Sequence, residues 1–332
     1  MKIVTVLTVS RTPELLNQLL KSLDNGFTGE ANNAEVLISW NGSESQESEL
    51  QFSRLPTAIA LRHPYHFASN MNALAEKASG DILIFANDDV EADARSIDAA
   101  IEILHNKSSV GIVGSILRKS NGSLCHAGIS FTANGSPYHQ LERFAGSEHP
   151  AFHRQVSCPA TTGAFFAMRR EDFLKTKLDT SFQACGEDVL LCLQTRQELR
   201  KEILICPTMS GIHNAESTRS LVEKGVSVEQ DQEKIRSAWL AMKNDFMKDN
   251  IMETELATAQ QEAEDLRMRC LELMDEMERT RIEAKIRTES ALKSLSTKNI
   301  LESALLRKEN DRLLARIRQL EEASSRQTRS RS

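Results

Sequence analysis

The run from Gly80 to Glu91 passes from Ile82, Leu83, Ile84, Phe85 and Ala86 directly onto Asn87, Asp88 and Asp89. An apolar stretch of this length, with β-branched and aromatic members, describes a strand buried on both faces of a parallel sheet. The two acids then stand where the strand leaves the sheet at its carboxyl end, the edge at which open α/β folds bind ligands. Adjacent carboxylates repel each other unless a positive charge lies between or beside them. A divalent cation carrying a phosphorylated ligand meets that need, because Mg²⁺ is commonly held by one or two carboxylates together with substrate phosphates. Taken alone, an Asp-Asp pair equally describes a solvated turn. A second acid pair, Glu187-Asp188, follows Gly186 and precedes Val189, Leu190 and Leu193. That places it at a helix N-terminus, where a carboxylate is stabilised by the dipole and a capping role is the simpler reading.

Alternating elements position these acids. Ile3–Val9 reads as a strand, and Thr12-Pro13-Glu14 opens a helix with Thr12 at the cap and Pro13 at the first helical position. Leu15, Leu16, Leu19, Leu20 and Leu23 give that helix its apolar face before Asn25-Gly26 ends it. Strands are expected at Glu35–Trp40, Ala58–Leu61, Asp81–Ala86, Val110–Leu117, Ala164–Met168 and Ile203–Cys206. Helices are expected at Phe67–Ala78, Ala92–His105 and Gly186–Leu199, with a hairpin at Leu124–Phe131 after the Asn121-Gly122 turn. This rhythm predicts an α/β fold with a mostly parallel sheet and helices on both faces. Irregular loops that cover a site are expected between Thr132 and Val156.

Composition narrows the class. The chain has 332 residues, enough for one large or two ordinary domains, and its 40% hydrophobic content supports a sizeable core. The formal net charge of −6 gives no support to a nucleic-acid partner. The six cysteines have no CxxC or zinc spacing and read as buried thiols in a reducing compartment. No stretch approaches the ~20 apolar residues that span a bilayer. Met1–Val9 is too short for a signal peptide and runs directly into an amphipathic helix. A soluble, cytoplasmic protein is expected.

From about residue 250 Gly and Pro vanish. Leu256, Ala259, Ala263, Leu266, Cys270, Leu273 and Met277 follow 3-4 spacing, which Leu306, Asn310, Leu313, Ile317 and Leu320 resume. Asn310 occupies a polar core position of the kind that fixes register. Ile282, Ile286, Leu292 and Leu295 fall off this frame, implying a stutter or break. A lone solvated helix of this length is marginal, so a homo-oligomeric coiled coil is expected; a charged helix packing on the globular part is the alternative.

Four ordered blocks carry a family resemblance. They are Arg11-Thr12-Pro13-Glu14-Leu15-Leu16 after the first strand; Val36-Leu37-Ile38-Ser39-Trp40-Asn41-Gly42-Ser43; the segment from Pro64-Tyr65-His66 through Gly80-Asp81 to Asn87-Asp88-Asp89-Val90-Glu91; and Thr162-Gly163-Ala164 through Met168-Arg169-Arg170 to Gly186-Glu187-Asp188-Val189-Leu190-Leu191-Cys192-Leu193. Across residues 3 to about 220 the chain resembles nucleotide-sugar-dependent glycosyltransferases of family 2, which have the Rossmann-like GT-A fold. The third block is similar to the family's DXD region in an N-x-D form, and the fourth to its acceptor-side block. Each block alone is weak, and their order makes the set specific.

The resemblance implies the roles. Asp89 is the metal ligand, for Mn²⁺ or Mg²⁺, and Asp88 contacts the ribose or metal-bound water. Thr8, Asn41, Asn70 and Asn87 line the nucleotide-sugar site, with Gly163 giving close backbone approach beside the donor sugar. Trp40 stands where the family often has Asp, and Asn87 replaces the first Asp of the commoner motif. Of Asn70 and Asn72, at most one reaches the ligand, because they lie on different helix faces. Asp188 is the general base that takes the proton of an acceptor hydroxyl, oriented by Glu187. His213 completes the metal or diphosphate site, His126 lies near the donor loops, and Arg219 contacts phosphate. The implied enzyme is an inverting, metal-dependent transferase with a nucleotide-sugar donor and a glycan or lipid-linked acceptor. Similar bacterial enzymes build surface polysaccharide or lipopolysaccharide, which points to the inner face of the cell membrane and peripheral contact with it.

The expected domains are 1–225 for the transferase, 226–250 for a helical extension, 251–322 for the coiled coil and 323–332 for a disordered basic tail. Two competitors remain. A nucleotidyltransferase usually carries a glycine-rich basic loop after its first strand, and Ser10-Arg11-Thr12-Pro13 lacks those glycines. A non-catalytic scaffold on a coiled coil would more naturally have lost Asp89 and Asp188, and both are present.

Overall fold

The computed structural model describes residues 3–132, 134–140, 154–213, 228–246 and 251–329. The chain divides into two units, Met1–Leu266 and Arg267–Ser332. In the first unit the elements run β1 (Val4–Ser10), α1 (Pro13–Gly26), β2 (Ala34–Trp40), α2 (Glu44–Glu47), β3 (Thr57–Leu61), α3 (Phe67–Lys77), β4 (Ile82–Ala86) and β5 (Val90–Ala92). They continue with α4 (Ser96–Asn106), β6 (Val110–Arg118), β7 (Leu124–His126), β8 (Ile129–Phe131), β9 (Pro137–His139), β10 (Val156–Cys158), β11 (Phe165–Arg169), α5 (Arg170–Thr176), α6 (Glu187–Leu199), β12 (Glu202–His213) and α7 (Val228–Phe246). Helix α8 (Ile251–Arg329) begins in this unit and runs through the second.

The main sheet has the order β10-β12-β6-β11-β4-β1-β2-β3, with β5 on β12 and β7 on β6. The expected alternation of strand and helix holds through β4, but the sheet is mixed rather than mostly parallel. Strands β4, β1, β2 and β3 are parallel, and so are β6 and β12. Strand β11 inserts antiparallel between β4 and β6. Between β6 and β11 the described residues are the short strands β7 to β10, with no crossover helix among them, and it is βαβ connections that impose parallel pairing. The segment read as one hairpin, Leu124–Phe131, is two strands broken at Gly128, whose φ of +115° turns the chain. Strand β7 returns against β6, while β8 pairs with β9. Ala92, expected to open a helix, instead ends β5 (Val90–Ala92), which pairs with the end of β12, and the helix begins at Ser96.

Packing fixes the tip of β4. Its residues are buried on both faces, Ile82, Ile84 and Ala86 in one layer and Leu83 and Phe85 in the other. Phe85 stacks on Phe166 of β11 with ring centroids 4.3 Å apart and planes 1° from parallel. Truncating such a side chain costs roughly 3–5 kcal/mol, so the strand that ends in Asn87-Asp88-Asp89 is among the most firmly held in the sheet. Helix α1 starts at Pro13 as expected, with Thr12 at the cap but without a side-chain capping bond.

In the second unit, α8 exposes Met274, Met277, Leu305, Leu306 and Leu313 along its length. Its helical backbone continues to Arg329, into the segment expected to be a basic tail. No described helix is long and apolar enough to cross a membrane.

Candidate active site

Strand β4 delivers Asp88 and Asp89 to the sheet edge, where two other strands end. Ser10, the last residue of β1, donates its hydroxyl to Asp88 Oδ2 at 2.7 Å. Burial raises the Asp88 carboxyl to about 6, with Ser10 opposing the rise and the neighbouring charge of Asp89 adding to it. Asp89 is only 7% exposed, and its Oδ1 lies 3.2 Å from His213 Nε2. The β12–β5 register makes this meeting possible, because His213 pairs with Val90, the residue after Asp89.

The second acid pair reaches the first through two consecutive peptide units. The Asn87 N–H donates to the Ala164 carbonyl at 2.8 Å, and the Gly163 N–H donates to Asp188 Oδ2 at 2.5 Å. Asp188 Oδ1 accepts from the Val189 N–H at 2.8 Å. A Cβ on residue 163 would lie 3.0 Å from Asp188 Cβ, so glycine permits this close approach. Burial and the Asp188 charge push Glu187 up to about 7. Asp188 is held in place by its two backbone N–H donors.

Tyr65 joins the two pairs. Its side chain is 52% exposed, yet its phenol is raised by local burial and then by Asp88, Glu187 and Asp89, with Arg11 opposing. These influences place Tyr65 in the neighbourhood of both acid pairs. Neither Tyr65 nor Ser10 stood out in the sequence. The signal for Ser10 was its place at the carboxyl end of β1, level with Trp40 of β2.

The other expected residues divide. The Asn41 N–H donates to the Ser10 carbonyl at 2.8 Å and its side-chain amide donates to the His63 carbonyl. Its Oδ1 is buried without a partner among the described residues, an acceptor available to a ligand. Thr8 is fully buried, and its hydroxyl also lacks a partner among the described residues. Asn70, 2% exposed, hydrogen-bonds Ser39 Oγ at 2.9 Å, and with its amide oriented to suit its neighbours it also donates to the carbonyls of His66 and Pro64. It therefore braces the turn that carries Tyr65 instead of lining the cleft. Asn72 bonds both the N–H and the carbonyl of Leu178, so neither asparagine contacts the site. The Trp40 indole packs beneath Gly42, where a Cβ would strike its ring, and donates to the Ser43 carbonyl at 3.3 Å. It is core, not a stacking platform. His126 is buried between His139 (Nδ1 to Nδ1, 2.9 Å) and Thr161 Oγ1 (3.0 Å), and burial, His139 and His213 keep it neutral. Arg219 falls in 214–227, outside the described residues.

Residues 3–176, more than half of the chain, match the family described as glycosyl transferase family 2. The chain belongs to that family. Among curated proteins it is similar to the O-antigen biosynthesis protein RfbC of Myxococcus xanthus, 28% identical over 196 residues, or 56% of this chain and 15% of that protein. It is also similar to the uncharacterized protein y4gI of Sinorhizobium fredii (strain NBRC 101917 / NGR234), 26% identical over 175 residues, 49% of this chain and 19% of that one. The chain thus spans less than a fifth of either relative. A crystal structure of GalNAc-T7 with UDP, GalNAc and Mn²⁺ superposes with a TM-score of 0.50 at 13% identity, over 64% of this chain and 44% of that one. That likeness establishes the shared GT-A fold.

The family fold implies a divalent cation, and the residues here accommodate one. Among the described residues no three His, Cys, Asp or Glu side chains converge on a single point. Asp89 and His213 do meet, with Asp88 adjacent, and a carboxylate–imidazole pair leaves further positions to phosphate oxygens and water. Such a pair is compatible with a cation held jointly by protein and substrate.

Proposed function

We propose that this chain transfers a glycosyl group from a nucleotide-sugar donor to an acceptor hydroxyl with inversion at the anomeric carbon. The observation that carries the reading is the Gly163–Ala164 bridge, which ties Asn87 of the first acid cluster to Asp188 of the second. On this reading the bridge would hold a diphosphate-binding edge and a proton acceptor in fixed relation, as a single displacement requires. Asn41 Oδ1 and the Ser10–Asp88 pair would receive the nucleoside, with Tyr65 at the mouth of the cleft. Asp89 and His213 would hold a Mn²⁺ or Mg²⁺ ion, which supplies charge neutralisation for the departing diphosphate. Asp188, fixed by two N–H groups, would take the acceptor proton. Glu187, protonated near neutrality, would donate a hydrogen bond to the acceptor or to the donor sugar.

The acceptor class on this reading is a glycan or a lipid-linked sugar of a surface polysaccharide, handled at the cytoplasmic face of a membrane through peripheral contact. The printed name of the Myxococcus relative supports that class. The exposed apolar residues of α8 favour self-association through a coiled coil. A screen of nucleotide sugars for metal-dependent nucleotide release and acceptor transfer tests the reading. Loss of both reactions in Asp89→Ala, and loss of transfer in Asp188→Ala, are expected. Equal turnover by wild type and both variants would contradict it, and no turnover of any donor would favour the scaffold alternative.

A further inference from the structure

Helix α7 lies beyond the family match, which ends at residue 176, yet it grips the segment that leads into the acid pair. Asp231, 1% exposed, accepts at Oδ2 from the backbone N–H groups of Gln183 (2.9 Å), Ala184 (2.8 Å) and Cys185 (3.4 Å). Burial raises its carboxyl, but these three donors and Lys234 outweigh that and hold it below the usual range. Lys234 Nζ lies 3.3 Å from Asp231 Oδ1, donates to the Ser181 carbonyl at 2.8 Å, and sits 4.7 Å over the Phe182 ring. Ile235 fills the space beneath Gly186, where φ is +107° and a Cβ would strike Ile235 Cδ1. The next two residues are Glu187 and Asp188. Farther along the same helix, Trp239 stacks on Phe131 at 4.1 Å and Arg236 donates to the Asn134 carbonyl at 3.0 Å, so α7 also holds the β8–β9 region.

We propose that Asp231 is a positioning residue for glycosyl transfer: by gathering three consecutive N–H groups of the 183–185 loop it fixes where Glu187 and Asp188 stand. The physical reason is local. The loop must turn through a left-handed glycine while its N–H groups point inward, and Asp231 is the acceptor that receives them. Two adjacent acids also repel each other, so their carrier needs an anchor on its far side. Without Asp231 the three donors lose a charged acceptor, and bonds of that type are the stronger ones. Glu187 and Asp188 then lose their fixed distance from Gly163. The catalytic part of this inference rests on the transferase reading above; the structural part does not.

The test combines two measurements on full-length wild type, Asp231→Ala and the isosteric Asp231→Asn, which keeps an oxygen acceptor if the alanine variant folds poorly. In hydrogen exchange, amides of the 183–188 segment are expected to exchange about ten- to a hundredfold faster in Asp231→Ala, with the β1 and β4 amides unchanged. In transfer assays kcat is expected to fall by about the same factor while the donor KM stays within about twofold. Because Asp231's charge is one of the groups raising Glu187, the alkaline limb of the pH profile should move to lower pH in both variants. A merely structural role would not move that limb. Unchanged exchange in the 183–188 segment would overturn the proposal, as would a kcat loss that only tracks loss of folded protein. If wild type transfers no sugar, the transferase reading fails, and the exchange measurement alone decides whether Asp231 positions the acids.

Discussion

The imidazole of His213 stands 3.2 Å from Asp89 Oδ1, brought there by the pairing of β12 with β5. The contact joins the end of the sheet's longest strand to the tip of β4, and it supplies the two side chains on which a cation would rest. His213→Ala should therefore weaken Mn²⁺ affinity by about ten- to a hundredfold, and Asp89→Ala should abolish binding. Calorimetric titration with Mn²⁺ in the presence of a nucleoside diphosphate checks both.

Glu187 makes stability depend on pH. Its folded pKa of about 7 lies above the ordinary value of 4.5. A raised carboxyl contributes stability that is complete below the unfolded pKa and is lost as pH rises through the folded pKa. Glu187→Gln should thus be more stable than wild type at about pH 8, by roughly 2–3 kcal/mol, with the gap closing below about pH 4.5. Denaturant melts across pH measure it. In the same variant the fall of kcat/KM above about pH 7 should disappear.

Gly163→Ala tests the bridge between the two acid pairs. The added Cβ would press on Asp188 at 3.0 Å, displacing the carboxylate by a few tenths of an ångström. The expected result is a kcat loss of up to about tenfold with little change in thermal midpoint, since misplacement of a full ~1 Å costs about a hundredfold. Steady-state kinetics beside a thermal melt separate the two effects.

Much of this was readable in the chain. The acid pair on a buried apolar run located β4 and its edge, and the ordered blocks located the family. Other features depend on tertiary contacts that no local pattern announces. Asn70 and Asn72 look like ligand-facing polar residues on a helix, yet each is bonded within the fold, to Ser39 and Leu178. Trp40, standing where the family often has Asp, is seen to be core only from Gly42 lying on its ring. Asp231 belongs to a charged helical segment and gains its role only from loop N–H groups distant in sequence. The antiparallel insertion of β11 was likewise invisible, because strand direction is set by the connection and not by the strand's own residues.

The helical C-terminus gives a separate expectation. Leu306 and Leu313 are 69% and 59% exposed, and burying such side chains against a partner helix stabilises association by ~1.5–3 kcal/mol each. Replacing both with Lys should lower the number of chains per particle, measured by sedimentation equilibrium, to that of a chain ended near residue 250. An unchanged mass would remove the coiled coil from the account.

The most direct measurement is a crystal structure with Mn²⁺ and a nucleoside diphosphate, read by anomalous scattering. The account expects one peak shared by Asp89, His213 and the diphosphate oxygens, with the nucleoside beside Asp88 and Asn41. Nucleotide bound elsewhere, or an edge of β4 left empty at saturating ligand, would contradict it.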